Sequence, residues 1–382
     1  MISLDPQSLR PFYGRFLDAD RILLTGHSHQ AWPDVAREGV LQAFDDAAAH
    51  VDDKWSYAMA AADAVRSYIA AEIGGPANAI ALAPNTHELV VRFLSALDPL
   101  RRHLVTTDGE FHSISRQLRR LEEAGVEITR VPAAPHETLA ERLAEALRPN
   151  TAALLASTVL FETSTVVPHL ERAAARAHEL GAEVLFDSYH HFGVRRWKAL
   201  DARAFVVGGG YKYCQWGEGV CFMRVPEGTT LRPVYTGWFS DFANLEGEST
   251  GRVGYGNTPA DRFAGSTYDP VSHYRARAVI EFFQAQSMSI EALEHAYARQ
   301  TNRIIDLLGG YEVLTPADAK ERGGFVAVRV ANAAKVARAM RDEGVFVDAR
   351  RDRLRFGPAP YVTDDEVERA VAAFRGLAEP ST

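Results

Sequence analysis

Between residues 55 and 225 the chain alternates helix-period and strand-period stretches. Residues 55–73 are alanine-rich, with apolar positions at helical spacing, and Gly74-Gly75-Pro76 ends them. Residues 79–82 read as a short strand, after which Pro84-Asn85-Thr86-His87-Glu88 opens a helix. Further short apolar runs lie at 103–107, 127–131, 152–157, 184–186, 204–207 and 219–225. Helical patterns separate several of them, notably at 137–147 and 170–180. Strands alternating with helices predict an α/β fold, a mostly parallel seven-stranded sheet sandwiched by helices.

The pattern changes after Val225. Residues 226–270 are rich in Gly, Pro, Ser, Thr and aromatic residues and read as a long functional loop region. A strongly helical stretch over 271–308 follows. Residues 311–376 then read as a small α+β unit with strands near 324–330 and 345–348, on which the N-terminal arm is expected to pack. The division predicted is a large domain over 45–275 and a small domain formed by 1–44 together with 276–382.

Composition narrows the function classes. Hydrophobic residues make up 47% of the 382 and charged residues 24%, values of a globular chain with a large core. The net charge is −8 with the signs interspersed, so no basic run points to nucleic acid or an anionic membrane. No apolar run approaches the roughly 18 residues of a membrane span. Met1-Ile2-Ser3-Leu4-Asp5-Pro6 lacks the basic and apolar regions of a signal peptide. Cys214 and Cys221 are the only cysteines, too few for a disulfide framework, and a reduced cytoplasmic location is expected. Cys214 stands two residues from Lys212 and is read as a packing residue.

The candidate chemistry begins at Lys212. In Phe205-Val206-Val207-Gly208-Gly209-Gly210-Tyr211-Lys212-Tyr213 an apolar strand runs into three glycines and then presents one lysine between two tyrosines. Such a strand end delivers a side chain to the crevice at the carboxyl edge of a sheet. Partial desolvation there lowers an amine's pKa, and a neutral amine forms a Schiff base with an aldehyde. Asp187 ends the preceding strand candidate. A carboxylate at the tip of a buried strand needs a cationic partner, and the protonated ring nitrogen of pyridoxal 5′-phosphate (PLP) is one. An Asp and a Lys ending successive strands therefore point together to PLP.

Neighbouring segments fit that reading. Asn85-Thr86-His87 stands at a helix N-terminus, where free N–H groups favour a phosphate, although Asn and Thr are also ordinary helix caps. Phe111 could stack on a heteroaromatic ring. His190, three residues beyond Asp187, could donate to the cofactor. His27-Ser28-His29-Gln30 has two alternating histidines but no accompanying Cys/His set, so a substrate-facing loop is expected and no metal.

Assembled, these residues resemble the fold-type I, class V branch of PLP enzymes, and within it the kynureninases. Gly26-His27-Ser28 with Trp32-Pro33, Asp187-Ser188-Tyr189-His190 and Gly209-Gly210-Tyr211-Lys212-Tyr213 are similar to family motifs in the family's order. So are Gly237-Trp238, Arg262-Phe263-Ala264-Gly265-Ser266 and Arg355-Phe356-Gly357-Pro358-Ala359-Pro360-Tyr361. The resemblance implies Lys212 as Schiff-base lysine and proton shuttle, and Asp187 as partner of the pyridinium. Phe111 would stack on the ring, and Thr86 and Tyr211 would hold the phosphate. Arg355 would clamp the substrate α-carboxylate, with His27 and Ser28 on the substrate side. Trp238 and the 265–267 segment, with Ser266 and Thr267, would reach across a homodimer interface to the neighbouring site. Tyr211 and His190 are both candidate acids.

Three segments depart from the family pattern: Phe111-His112-Ser113-Ile114, Phe161-Glu162-Thr163-Ser164, and Gln215-Trp216-Gly217-Glu218-Gly219 after the lysine. The expected activity is hydrolysis of the Cβ–Cγ bond of L-kynurenine or a related β-acyl amino acid to an aryl acid and L-alanine. A class V aminotransferase or C–S lyase on another amino acid is the alternative, and a non-catalytic scaffold a third.

Overall fold

The computed structural model describes residues 4–196, 201–245 and 251–379, so the first three residues of the N-terminal reading lie outside the described residues. The arm contributes β1 (Ile22–Leu23) and leads into two long helices, Val35–His50 and Lys54–Ile73. The strands β2 (Ile80–Ala83), β3 (His103–Thr107), β4 (Glu127–Val131), β5 (Thr151–Ser157), β6 (Glu183–Asp187), β7 (Phe205–Gly209) and β8 (Cys221–Arg224) follow. They form one seven-stranded sheet in the order β2-β8-β7-β6-β5-β3-β4. β8 runs antiparallel to both β7 and β2, and the β3–β4, β3–β5, β5–β6 and β6–β7 pairs are parallel.

Side chains alternate across a strand, so a strand apolar on both sides must be covered on both sides. β5 shows this directly. Ala153 and Leu155 join a core with Leu89, Phe93, Ile114 and Leu118 of the helices Thr86–Ser95 and His112–Glu123. Leu154 and Ala156 join another with Leu139, Leu143, Leu170 and Ala174 of Leu139–Ala146 and Leu170–Glu179.

The helical stretch expected over 271–308 is two helices, Val271–Ala285 and Ile290–Leu307. Ser287 takes a positive φ of 54° between them, and the Ser289 side chain caps the second by accepting from Ala292 N–H. Beyond lie β9 (Val326–Arg329), β10 (Val345–Phe346), β11 (Asp348–Arg350) and β12 (Arg353–Phe356), with the helices Ala333–Asp342 and Asp364–Leu377. β11, β12 and β9 form a three-stranded antiparallel sheet. The arm does pack on this unit: β1 pairs with β10 in parallel, and Gly26 N–H donates to Gly357 O at 2.8 Å.

Candidate active site

Chain direction in the large sheet changes between β3 and β5. From β3 the chain continues outward to β4, and from β5 it runs the other way through β6 to β7. At such a switch point the loops leave the carboxyl ends in opposite directions and open a crevice. A cavity of about 280 Å³ sits at this edge, lined among others by Thr86, Phe111, Ser157, Phe161, Asp187 and Lys212.

Lys212 is buried, and its Nζ lies 2.8 Å from His190 Nε2. Aromatic faces surround it, with Nζ 4.4 Å from the ring centroid of Tyr189, 5.3 Å from Phe111 and 5.7 Å from Tyr211. Burial lowers its pKa to about 7, against the attraction of Asp187, which raises it. His190 is driven well below the usual histidine value, first by burial and then by the charges of Lys212 and Arg355. Among the described residues its Nδ1 has no hydrogen-bond partner. Asp187 and Ser157, the last residues of β6 and β5, are register partners. The Asp187 carboxylate accepts from Tyr189 N–H at 2.8 Å, yet burial still raises its pKa.

Arg355 of β12 is buried and reaches the cavity wall, donating from Nη1 to Phe161 O at 2.5 Å. Nη2 is hydrogen-bonded to Asp348, its register partner on β11, and among the described residues Nε has no partner. His27 is wholly buried, with Nε2 3.4 Å from an Asp348 carboxylate oxygen and its ring 4.6 Å from that of Phe325. Burial, with the Arg355 charge, lowers the His27 pKa to about 3. Burial alone would raise the Asp348 pKa, but His27 and Arg355 hold it well below the usual carboxylate range.

The Asn85 side chain caps Thr86–Ser95 by accepting from Glu88 N–H at 2.9 Å, with Thr86 buried beside it. Asn85 thus performs the capping that its residue type allows and lines the cavity as well. Tyr211 lines the cavity too, and burial pushes its phenol up to about 12.

Not every expected residue arrives there. His87 is exposed and lines a separate surface depression, because the first turn of its helix directs it away from the sheet edge. The Ser28 hydroxyl donates to Thr25 O at 3.1 Å, so its hydrogen bond is used within its own turn. His29 is exposed, with its ring 5.9 Å from that of Tyr211, while His27 faces inward; among the described residues no cluster of three or more His, Cys, Asp or Glu could hold a metal. Trp238, Ser266 and Thr267 lie outside the Lys212 cavity of their own chain. Trp238 Nε1 donates to the Thr267 hydroxyl at 3.2 Å, and Ser266 and Thr267 line a neighbouring groove of about 860 Å³. That groove shares Pro84, Glu218 and Gly219 with the Lys212 cavity.

Sequence reading missed Glu110 and Asp348. The Glu110 carboxyl, fully buried, accepts from the Thr107 hydroxyl at 2.6 Å and from the Ser157 amide and hydroxyl at 3.0 and 2.6 Å. The only signal for either was an acid next to a singled-out residue or within a strand, which is common. Phe161 was noted as a departure; its ring packs edge-on to Phe111 at 5.2 Å and forms a cavity wall.

Comparisons with known proteins agree with this geometry. A family model described as the kynureninase C-terminal domain matches residues 287–374. The kynureninase of Bacillus thuringiensis subsp. konkukian (strain 97-27) is 25% identical over 314 residues, covering 77% of this chain and 71% of the relative. That of Bacillus mycoides (strain KBAB4) is 26% identical over 304 residues, covering 74% and 69%. Among solved structures, a lysine-to-alanine mutant of C-DES with glycine covalently linked to its PLP cofactor superposes with a TM-score of 0.85 at 18% identity, covering 96% of this chain and 98% of the other. The apo cysteine desulfurase from Thermococcus onnurineus NA1 gives 0.83 at 18% identity, with 99% of each chain covered. The chain has the fold of these enzymes, that of fold-type I PLP-dependent enzymes, and its sequence resemblance is to kynureninases.

Proposed function

We propose that this chain is a PLP-dependent enzyme that hydrolyses the Cβ–Cγ bond of L-kynurenine or a related β-acyl amino acid, releasing an aryl acid and L-alanine. The observation that carries the reading is the buried amine of Lys212, its pKa lowered to about 7, set beside the Asp187 carboxylate at the carboxyl ends of adjacent strands. The residues present fit the cofactor. Among the described residues the Asp187 carboxylate has one hydrogen-bond donor, the Tyr189 amide, although it is buried, which suits a carboxylate that takes a ring N–H⁺. His190 keeps a buried Nδ1 that is unpartnered among the described residues. Thr86 and the amide end of its helix suit a phosphate, with Tyr211 nearby, and Phe111 suits a ring face.

Bound PLP supplies the electron sink for cleavage at the substrate carbon skeleton. The chain does the rest. Near neutral pH Lys212 is free to act as a nucleophile and then to take and return the substrate Cα proton. His190, at 2.8 Å from the amine and held neutral, can pass that proton on. Arg355 offers its remaining N–H groups to the substrate carboxylate. Phe111, Phe161 and Tyr189 give the cavity aromatic walls that suit an aryl side chain. In a homodimer, Trp238, Ser266 and Thr267 would serve the site of the neighbouring subunit.

The test is to load the chain with PLP, add L-kynurenine and follow anthranilate fluorescence. Turnover supports the reading, and its absence in protein shown to carry the cofactor on Lys212 removes this substrate. The likeness to C-DES, described as a cystine C–S lyase, keeps a second reading. Release of a sulfur product from cystine by the same loaded protein would favour it.

A further inference from the structure

The loop that follows Lys212 contains a conformational oddity. Gln215 takes a φ of +60°, a left-handed conformation that suits glycine and strains a residue with a side chain. Its side chain is completely buried. A buried glutamine at a strained position must find partners for its amide, and here both ends do. Gln215 Oε1 accepts from the Tyr13 hydroxyl at 2.6 Å. Nε2 donates to Gln30 Oε1 at 3.1 Å, and Gln30 Nε2 donates in turn to the Tyr297 hydroxyl at 2.9 Å.

These bonds join three parts of the chain. Tyr13 and Gln30 belong to the N-terminal arm, and Tyr297 to the helix Ile290–Leu307, whose Gln300 donates to Ala359 O and Val362 O close to Arg355 in sequence. The loop is fastened through its backbone as well: Gln215 N–H donates to Lys212 O at 3.2 Å, and Trp216 N–H to Gly210 O at 3.0 Å. The backbone from Gly210 to Trp216, which contains Lys212, is thus closed at both ends and tied at Gln215 to the arm.

We propose that Gln215 is a positioning residue: its side-chain amide locks the loop after Lys212 to Tyr13 and Gln30 of the N-terminal arm and so fixes the Lys212 amine inside the cavity. The proposal rests on the reading of Lys212 as the reacting amine. It makes the arm part of the catalytic apparatus, although no arm residue in the relay lines the cavity. A glycine at 215 would relieve the backbone and lose the lock, so backbone comfort and lysine placement are set against each other there.

The test needs no cofactor. The rate at which formaldehyde and cyanoborohydride methylate Lys212 is read by peptide mapping across pH in the chain and in Gln215→Leu, Gln215→Gly and Tyr13→Phe. In the parent chain the rate should rise through a midpoint of about 7. The proposal expects all three substitutions to move that midpoint up by roughly one unit or more, as the loosened amine gains water. Tyr13→Phe is the mildest change, and it decides the matter where the Gln215 variants do not fold. An unchanged midpoint in a folded Tyr13→Phe or Gln215→Leu chain overturns the proposal. A parent chain in which Lys212 titrates like an exposed lysine defeats instead the reading of Lys212 on which it rests.

Discussion

Nζ of Lys212 and Nε2 of His190 stand 2.8 Å apart, both groups are buried, and burial presses both away from the charged form. Two such neighbours share at most one proton near neutral pH. Of the two, Lys212 is the one that titrates near neutral pH.

Reductive trapping of PLP on Lys212 should rise steeply with pH up to about 7 and flatten above it, because only the neutral amine attacks an aldehyde. Lys212→Arg should abolish the label while leaving the fold intact. The linkage has a definite sign. A lysine whose folded pKa lies below its unfolded value weakens the fold at low pH, and that penalty is relieved as pH rises from about 7 toward the ordinary lysine value. Lys212→Met in the cofactor-free chain should accordingly be stabilising, more so at pH 6 than at pH 9, and thermal melts at the two values check it.

Arg355 is engaged by Asp348 before any substrate arrives, so replacing it has two separable effects. Arg355→Lys keeps a cation near Asp348 but loses the planar fork, and KM for an amino acid should rise about tenfold or more. Trapping of PLP on Lys212 should be nearly unchanged. Arg355→Ala leaves the Asp348 carboxylate without the cation it is bonded to, and should cost about 3–5 kcal/mol of stability. Steady-state kinetics and denaturant melts of the two variants check the separation.

Much of this was readable along the chain. β3 and β4 have the bounds that their apolar runs predicted, and Asp187 and Lys212 were legible because a strand tip followed by small residues is a local signal. The reversed direction of β8 had a local cue as well. Only residues 210–220 separate it from β7, too few for a comfortable parallel crossover. Other features had none. The break at Ser287 interrupts an amphipathic pattern that continues on either side, so periodicity ran across it. Asp348 and Glu110 matter through partners brought to them by folding: Arg355 by strand register, and Ser157 from 47 residues away. His87 and Ser28 lie off the Lys212 cavity, which was not legible because spacing shows which residues are near a helix start or turn but not which way each one faces.

Cys214 and Cys221 are both buried, and burial raises both thiols, Cys221 to about 11. Cys221 lines the Lys212 cavity from β8, with Sγ 3.5 Å from the Tyr189 hydroxyl. A thiol so protonated and held in a strand is a poor nucleophile. Iodoacetamide should alkylate neither in the native chain at pH 8 on the timescale that labels a free thiol, and both on unfolding. Cys221→Ala should keep at least a third of the turnover. Fast native labelling of either cysteine would point instead to chemistry of the desulfurase kind.

Glu110 gives the most specific pH signature. Its carboxyl is raised to about 7, first by burial and also by nearby Asp187, against the hydrogen bonds from Ser157 and Thr107. A carboxyl whose folded pKa exceeds its unfolded value binds more protons when folded. Its contribution to stability is complete below the unfolded value and is lost as pH climbs through about 7. At most about 3 kcal/mol is at stake between pH 4.5 and 7, from a shift of that size. Glu110→Gln preserves the shape and can still accept from Ser157, so it should flatten that pH dependence at little cost near pH 8. Glu110→Ala strands the buried Ser157 amide and two hydroxyls, and should cost about 1–3 kcal/mol more than Glu110→Gln. Because Ser157 is the register partner of Asp187, the alanine variant should also weaken PLP retention while the glutamine variant keeps it. Urea melts at pH 5, 6, 7 and 8, with bound PLP quantified after dialysis, separate the two variants; identical pH slopes for parent and Glu110→Gln would mean that Glu110 is ionised throughout.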